Sequence, residues 1–108
     1  MNTSGVIRGY MSKNMDAEEF IKIVVSALSR EFGEKVQLQN INDDEFIITM
    51  ADYTVTMSKE LINELKSPYG VDRFILEKFE SQGFQFDRNR SQYIQYCFGN
   101  YTGIKKEN

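Results

Sequence analysis

The fold is decided by residues 36–57, VQLQNINDDEFIITMADYTVTM, where three short runs alternate apolar and polar side chains. Alternation with a period of two is typical of strands that bury one face. The turns Asn42-Asp43-Asp44 and Ala51-Asp52 separate the runs, and they are too short for parallel crossovers. The stretch therefore predicts an antiparallel meander whose buried face carries Phe46, Ile48, Met50, Tyr53, Val55 and Met57.

A helical pattern precedes the meander. Asp16-Ala17-Glu18-Glu19 has the spacing of an N-terminal capping box, with carboxylates where the helix dipole favours them. From Phe20 to Phe32 the apolar residues recur with helical spacing over a broad arc, and Gly33 stands where a left-handed C-cap belongs. These features predict a helix that packs deeply against the sheet.

Two further helices are predicted after the meander. Ser58 can cap a helix over Lys59–Lys66, and the turn Ser67-Pro68-Tyr69-Gly70 interrupts it. A second helix then runs over Val71–Gln82 with a buried apolar stripe, and Gly83 closes it.

Residues 84–98 fit two structures. We predict a hairpin in which Phe84–Phe86 pairs with Gln92–Phe98 around Asp87-Arg88-Asn89-Arg90, because these segments are rich in residues with β propensity. The alternative is a helix, with Ser91 as its cap and Gly99 as its stop. With the hairpin, the predicted fold is α+β, an antiparallel β-meander packed against helices in the order α-β-β-β-α-α-β-β.

A chain of 108 residues fits a single domain. Residues 1–13 show no sustained period, so we predict a flexible N-terminal leader, followed by a single α+β domain over 14–104 and a C-terminal tail over 105–108. No apolar run reaches the roughly 18 residues that a membrane span needs. The first residues also lack the order of a secretory signal, and we expect a cytoplasmic protein without a membrane interaction.

The composition excludes several kinds of chemistry. The chain has no His and one Cys, which rules out an intramolecular disulfide, His-based catalytic triads and His-containing metal sites. Cys97 stands between Tyr96 and Phe98 and is expected to be a small core residue. Asp43-Asp44-Glu45 are adjacent acids that cannot wrap a metal ion, and phosphate-binding glycine motifs are absent. We therefore expect no enzyme, no catalytic residue, no metal and no cofactor.

The predicted order of elements after Ser58, two helices and a hairpin, resembles that of winged helix-turn-helix domains. This resemblance implies a DNA-binding regulator with Val71–Gln82 as recognition helix and Arg88 and Arg90 in the wing. The charges favour another function, because Arg73 has Glu77 at i+4 and Asp72 and Glu80 would face phosphate. Single-stranded nucleic acid is a further alternative, with bases stacking on the aromatic side chains Tyr93, Tyr96, Phe98 and Tyr101.

An acidic body and a more basic end point to a protein partner. Residues 16–83 carry seven basic and fourteen acidic side chains, whereas residues 84–106 are basic and rich in aromatic groups. We expect a small non-enzymatic protein-binding or regulatory module, in keeping with a bacterial, prophage-encoded protein. Tyr and Arg are common in binding hot spots, so its candidate partner-binding residues are Arg88, Arg90, Tyr93 and Tyr101. A homodimer is a further option, through an exposed strand edge carrying Met50 or Tyr53.

Overall fold

The structure, a computed structural model, describes residues 5–99 as five helices and a three-stranded sheet, which confirms the predicted α+β class. In chain order the elements are α1 (Gly5–Asn14), α2 (Ala17–Phe32), β1 (Val36–Asn42), β2 (Glu45–Met50), β3 (Tyr53–Ser58), α3 (Lys59–Leu65), α4 (Gly70–Ser81) and α5 (Gln92–Cys97).

The predicted meander is confirmed. The sheet has the order β1-β2-β3 with antiparallel pairing, and Met50 lies opposite both Val36 and Tyr53. A bulge between Asn40 and Asn42 ends the regular part of β1. Met50 therefore belongs to the central strand and is buried, so the expectation of an exposed edge at Met50 is wrong.

Local sequence signals explain where the helices begin and end. The Asp16 carboxylate accepts a hydrogen bond from the backbone N–H of Glu19 at 2.9 Å, and the Ser58 hydroxyl accepts one from Leu61 at 3.0 Å. Each bond satisfies a backbone donor that the first turn of a helix leaves unpaired. Gly33 ends α2 with a φ of +65°, a left-handed conformation that glycine adopts without steric cost.

The hydrophobic core lies between the helices and one face of the sheet. Helix α2 packs against β1 and α4 packs against β3, while α3 contacts both helices. Along β2 and β3 the buried residues alternate with more exposed ones, as the period-two pattern predicted. The largest fully buried apolar side chains are Phe20, Ile21, Leu28, Phe46, Ile48, Met50, Met57, Ile62, Ile75, Leu76 and Phe79.

The predicted flexible leader needs a correction, because residues 5–13 belong to α1. This helix places Arg8 in the interior with no exposed surface, whereas Val6 and Tyr10 are 84% and 68% exposed. The apolar pattern of α1 is thus the reverse of that of an ordinary surface helix. Residues 1–4 and the predicted tail 105–108 lie outside the described residues.

The predicted hairpin over 84–98 is wrong, and the helical alternative is correct. Residues 92–97 form α5, residues 84–87 have no regular structure, and within the described part of the chain the sheet ends at β3. The Ser91 hydroxyl accepts a hydrogen bond from the backbone N–H of Ile94, and Gly99 follows the helix with a φ of +67°. Cap and stop residues thus outweigh the β propensity of the residues between them.

Candidate functional site

The segment between α4 and α5 presents Arg88 in a fixed position. The Arg88 guanidinium donates to the Glu80 carboxylate, with Nη2 and Oε1 2.6 Å apart. Its Cζ atom lies 4.0 Å from the centre of the Phe98 ring, the distance of a cation–π contact. The hydrogen bonds to Glu80 raise the pKa of Arg88 above its ordinary value. Arg88 is therefore held from two sides although its side chain is 46% exposed.

Arg90 repeats this arrangement one step along the segment. Its Nε lies 2.8 Å from Oε2 of Glu31, and its Cζ lies 4.6 Å from the centre of the Phe32 ring. Glu31 also accepts a hydrogen bond from the Ser91 hydroxyl at 3.0 Å. Since Glu31 and Phe32 are the last residues of α2, these contacts fasten the α4–α5 segment to that helix.

A third arginine joins the group from α4. Arg73 pairs with Glu77, with 3.0 Å between Nε and Oε2, as the i,i+4 spacing predicted. Its Cζ lies 5.7 Å from the centre of the Phe98 ring, which therefore contacts two guanidinium groups. We call Arg73, Arg88, Arg90, Phe32 and Phe98 the arginine–aromatic surface.

Phenyl rings support this surface from below. Phe86 contacts Phe98 and Phe32, and Phe84 contacts Phe32 and Phe86, with ring centres between 5.1 and 6.0 Å apart. Phe84 also packs on Phe79 of the core. Such pairs contribute more than their buried area alone, so they hold an irregular segment in place without strand pairing.

The structure brings two of the four predicted partner-binding residues together. Arg88 and Arg90 both belong to the arginine–aromatic surface. Tyr93 was predicted to be an exposed partner-binding residue, but α5 turns it inward. Its side chain is 8% exposed, and its hydroxyl donates to Asp72. Its place on the buried face follows from helical spacing, which aligns it with Cys97. Tyr101 lies outside the described residues.

Asp72 and Arg8 form a buried ion pair that sequence reasoning missed. Each Arg8 Nη donates to one Asp72 oxygen at 2.7 Å, and Nη1 also donates to the Pro68 carbonyl at 2.6 Å. Burial by itself would lower the pKa of Arg8, but the hydrogen bonds and charge of Asp72 raise it. Arg8 Nε has no hydrogen-bond partner among residues 5–99, and the Arg8 guanidinium lies 5.0 Å from the Tyr69 ring centre.

One signal for this pair was present in the sequence. Counted from Asp72, the apolar residues Ile75, Leu76 and Phe79 stand at i+3, i+4 and i+7, so Asp72 lies on the apolar stripe of α4. An acid on such a stripe indicates a buried carboxylate that needs a cation. The prediction that Asp72 is exposed and would face phosphate is therefore wrong.

Metal-ligating groups, the single thiol and the surface clefts can be placed among the described residues. No group of three or more Cys, Asp and Glu side chains that could hold a metal occurs among residues 5–99. Cys97 is buried, as expected, and burial raises the pKa of its thiol, so the nucleophilic thiolate is disfavoured. A cleft of about 290 Å³ beside Gln37 and Thr49, and a wider one of about 520 Å³ at the Asp43-Asp44 turn, both lie apart from the arginine–aromatic surface.

The geometry also disfavours the nucleic-acid alternatives. With α5 in place of the hairpin, residues 84–98 contain no wing, and Arg88 and Arg90 each pair with a glutamate. Stacking of a base would need an open ring face, but Arg88 already lies over Phe98. Neither the winged-helix nor the single-strand interpretation gains support from these contacts.

Comparisons with protein-family models, with curated proteins and with solved structures gave no match for this chain. Among residues 5–99, no helix combines the length and the apolar character that crossing a bilayer requires.

Proposed function

We propose that this chain is a non-enzymatic, cytoplasmic protein-binding module and that the arginine–aromatic surface contacts its partner. The observation that carries the proposal is the double restraint of Arg88, which lies on the Phe98 ring and donates to Glu80 while about half of its side chain remains exposed. Arginine and aromatic side chains are the residues most often found where binding energy is concentrated.

Preorganisation favours a binding role for these arginines. A flexible arginine loses conformational entropy when a partner immobilises it, at a cost of about 0.5–1.5 kcal/mol for a rotamer-rich side chain. Arg88 and Arg90 are already restrained by a ring and a carboxylate each, so much of that entropy is lost on folding. Binding to this surface is less costly than binding to free side chains.

The local charge balance favours a protein over a polyphosphate. Each arginine of the surface has its own glutamate, so the group as a whole is close to neutral. Nucleic-acid binding depends on uncompensated cations that release counterions, and this surface has few to offer. Arg88 donates to Glu80 through Nε and Nη2, and its Nη1 makes no hydrogen bond among the described residues, so a partner can accept from Nη1 through a carbonyl or hydroxyl oxygen.

Affinity capture from the encoding organism tests the proposal. The test variant is Arg88→Ala/Arg90→Ala, and the matched control is Lys22→Ala/Arg30→Ala, which removes two exposed cations from α2. We expect a specific partner that the wild type and the control retain and the test variant loses. Both variants should have wild-type circular dichroism. Identical sets of captured proteins for all three chains would remove this surface as the binding site.

A fluorescence titration with duplex and single-stranded DNA separates the proposal from the nucleic-acid alternatives. We expect no specific binding at either low or moderate salt. Binding that weakens steeply with added salt, and that is lost in the Arg88→Ala/Arg90→Ala variant, would assign the surface to nucleic acid instead.

A further inference from the structure

The two edges of the sheet differ. On β3, the backbone N–H of Thr54 donates to Oε1 of Gln82 at 3.0 Å, and Nε2 of Gln82 donates to the Thr54 carbonyl at 2.7 Å. The Gln82 side-chain amide thus binds the edge as a neighbouring strand would. The chain itself therefore blocks this edge at Thr54, the second residue of β3.

The Thr54 contacts also show which backbone groups of β1 point away from the sheet. Because Thr54 directs its backbone groups toward Gln82, its neighbour Thr49 must direct its own toward Gln37 of β1. Hydrogen bonding alternates along an antiparallel strand, so Val36, Leu38 and Asn40 direct their N–H and C=O groups away from the sheet. These groups have no hydrogen-bond partner among the described residues.

The free edge of β1 lacks the usual protection against pairing. Lysine, proline and inward-facing charges block edges in many proteins, but Val36–Asn40 has the sequence VQLQN and contains none of them. The bulge lies beyond Asn40, so these five residues keep a regular register with β2. An uncharged regular edge can accept another strand.

We propose that the occupant of this edge is a second copy of the same chain, paired antiparallel about Leu38. A two-fold axis at Leu38 places Val36 opposite Asn40 of the partner subunit and pairs Leu38 with itself. All outward N–H and C=O groups of the segment then meet a counterpart. The two sheets become one continuous sheet, and no charged side chains face each other across Val36–Asn40.

The register of this pairing makes the proposal specific. Gln37 and Gln39 are exposed on the outer face of the sheet, and the two-fold axis puts Gln37 opposite Gln39 of the partner subunit. The Gln37→Lys/Gln39→Lys variant would therefore place like charges opposite each other twice. The Gln37→Lys/Gln39→Glu variant has the same number of substitutions but would place opposite charges together.

Sedimentation equilibrium over a concentration series provides the measurement. We expect the wild type to dimerise, the Gln37→Lys/Gln39→Lys variant to dimerise about tenfold or more weakly, and the Gln37→Lys/Gln39→Glu variant to dimerise at least as well as the wild type. Thr54→Lys/Thr56→Lys controls for added charge, because these exposed residues lie on β3 of the same face. It should dimerise more strongly than the double lysine variant of β1.

Two results would overturn the proposal. One is a wild-type chain that remains monomeric at concentrations up to about 1 mM. The other is a dimer whose dissociation constant is the same in the wild type and in both β1 variants, which would assign the interface to another surface. The result is independent of the arginine–aromatic surface, because none of these substitutions removes one of its residues.

Discussion

At the scale of single residues, the Arg8–Asp72 pair is expected to have a large effect on stability. Both side chains are fully buried, and each compensates the charge of the other. Breaking a buried pair by removing one partner costs about 3–5 kcal/mol, since the remaining charge stays in a poorly solvated site. We expect Asp72→Asn to lower the free energy of unfolding by about this amount, as measured by urea denaturation.

Two variants show whether the buried charge is responsible. Arg73→Ala removes an exposed ion pair next to Asp72 and should cost no more than about 1 kcal/mol. Arg8→Met/Asp72→Leu removes both buried charges and should be more stable than Asp72→Asn, because no unpaired ion remains. A cost of Asp72→Asn equal to that of Arg73→Ala would contradict this account.

At the scale of elements, α5 depends on its N-cap. The Ser91 hydroxyl accepts from Ile94 N–H at 3.1 Å and donates to Glu31 at the end of α2. We expect Ser91→Ala to lower the free energy of unfolding by about 1 kcal/mol, up to about 2, as found for other N-caps. In urea denaturation, the exposed helical control Ser26→Ala should change stability little, because alanine favours a helix. Equal losses in the two variants would argue against the cap.

The elements that sequence reasoning identified are those in which one physical signal dominates. Helix α2 and the strands have regular apolar periods, and their caps lie at the expected positions. Helix α1 was not predicted, because it buries Arg8 and exposes Val6 and Tyr10, and this arrangement gives no helical hydrophobic period in the sequence. Helix α5 was predicted only as the alternative to a hairpin. Its six residues include β-prone Tyr and Ile, although Ile94 and Cys97 also fit helical spacing between the cap Ser91 and the stop Gly99.

The candidate site shows the same division. Arg88 and Arg90 were identified from their charge and their aromatic neighbours in sequence. Phe32, the ring partner of Arg90, ends α2, and Phe98, the ring partner of Arg88, follows α5, so neither contact can be read from local spacing. Tyr93 was misplaced together with the hairpin, since a change from strand to helix changes which side chains share a face.

At the scale of the whole molecule, the thiol of Cys97 and the phenols of Tyr69 and Tyr93 make stability decrease at alkaline pH. Burial raises the pKa of Tyr69 to about 12, and it raises the pKa values of Tyr93 and Cys97 above their ordinary ranges. The unfolded chain loses the corresponding protons at about pH 8.5 for the thiol and about pH 10 for the phenols. Since the folded state retains more protons in this window, the free energy of unfolding should fall as pH rises above about 8.5.

Urea denaturation between neutral pH and about pH 11 measures this dependence. The Cys97→Ala variant should show a shallower decline in stability, beginning at the pH where phenols titrate, because the thiol no longer contributes. Constant stability across this range would show that these groups titrate alike in both states, and rising stability would show that they titrate at lower pH in the folded state; either result would contradict the prediction.

The contact of the Gln82 amide with Thr54 of β3 has a consequence for how many copies can assemble. A sheet with two open edges can add subunits without limit and grow into a filament. Here Gln82 blocks the β3 edge at Thr54, so the proposed pairing through β1 stops at two copies. One side chain thereby separates a closed pair from an open-ended polymer.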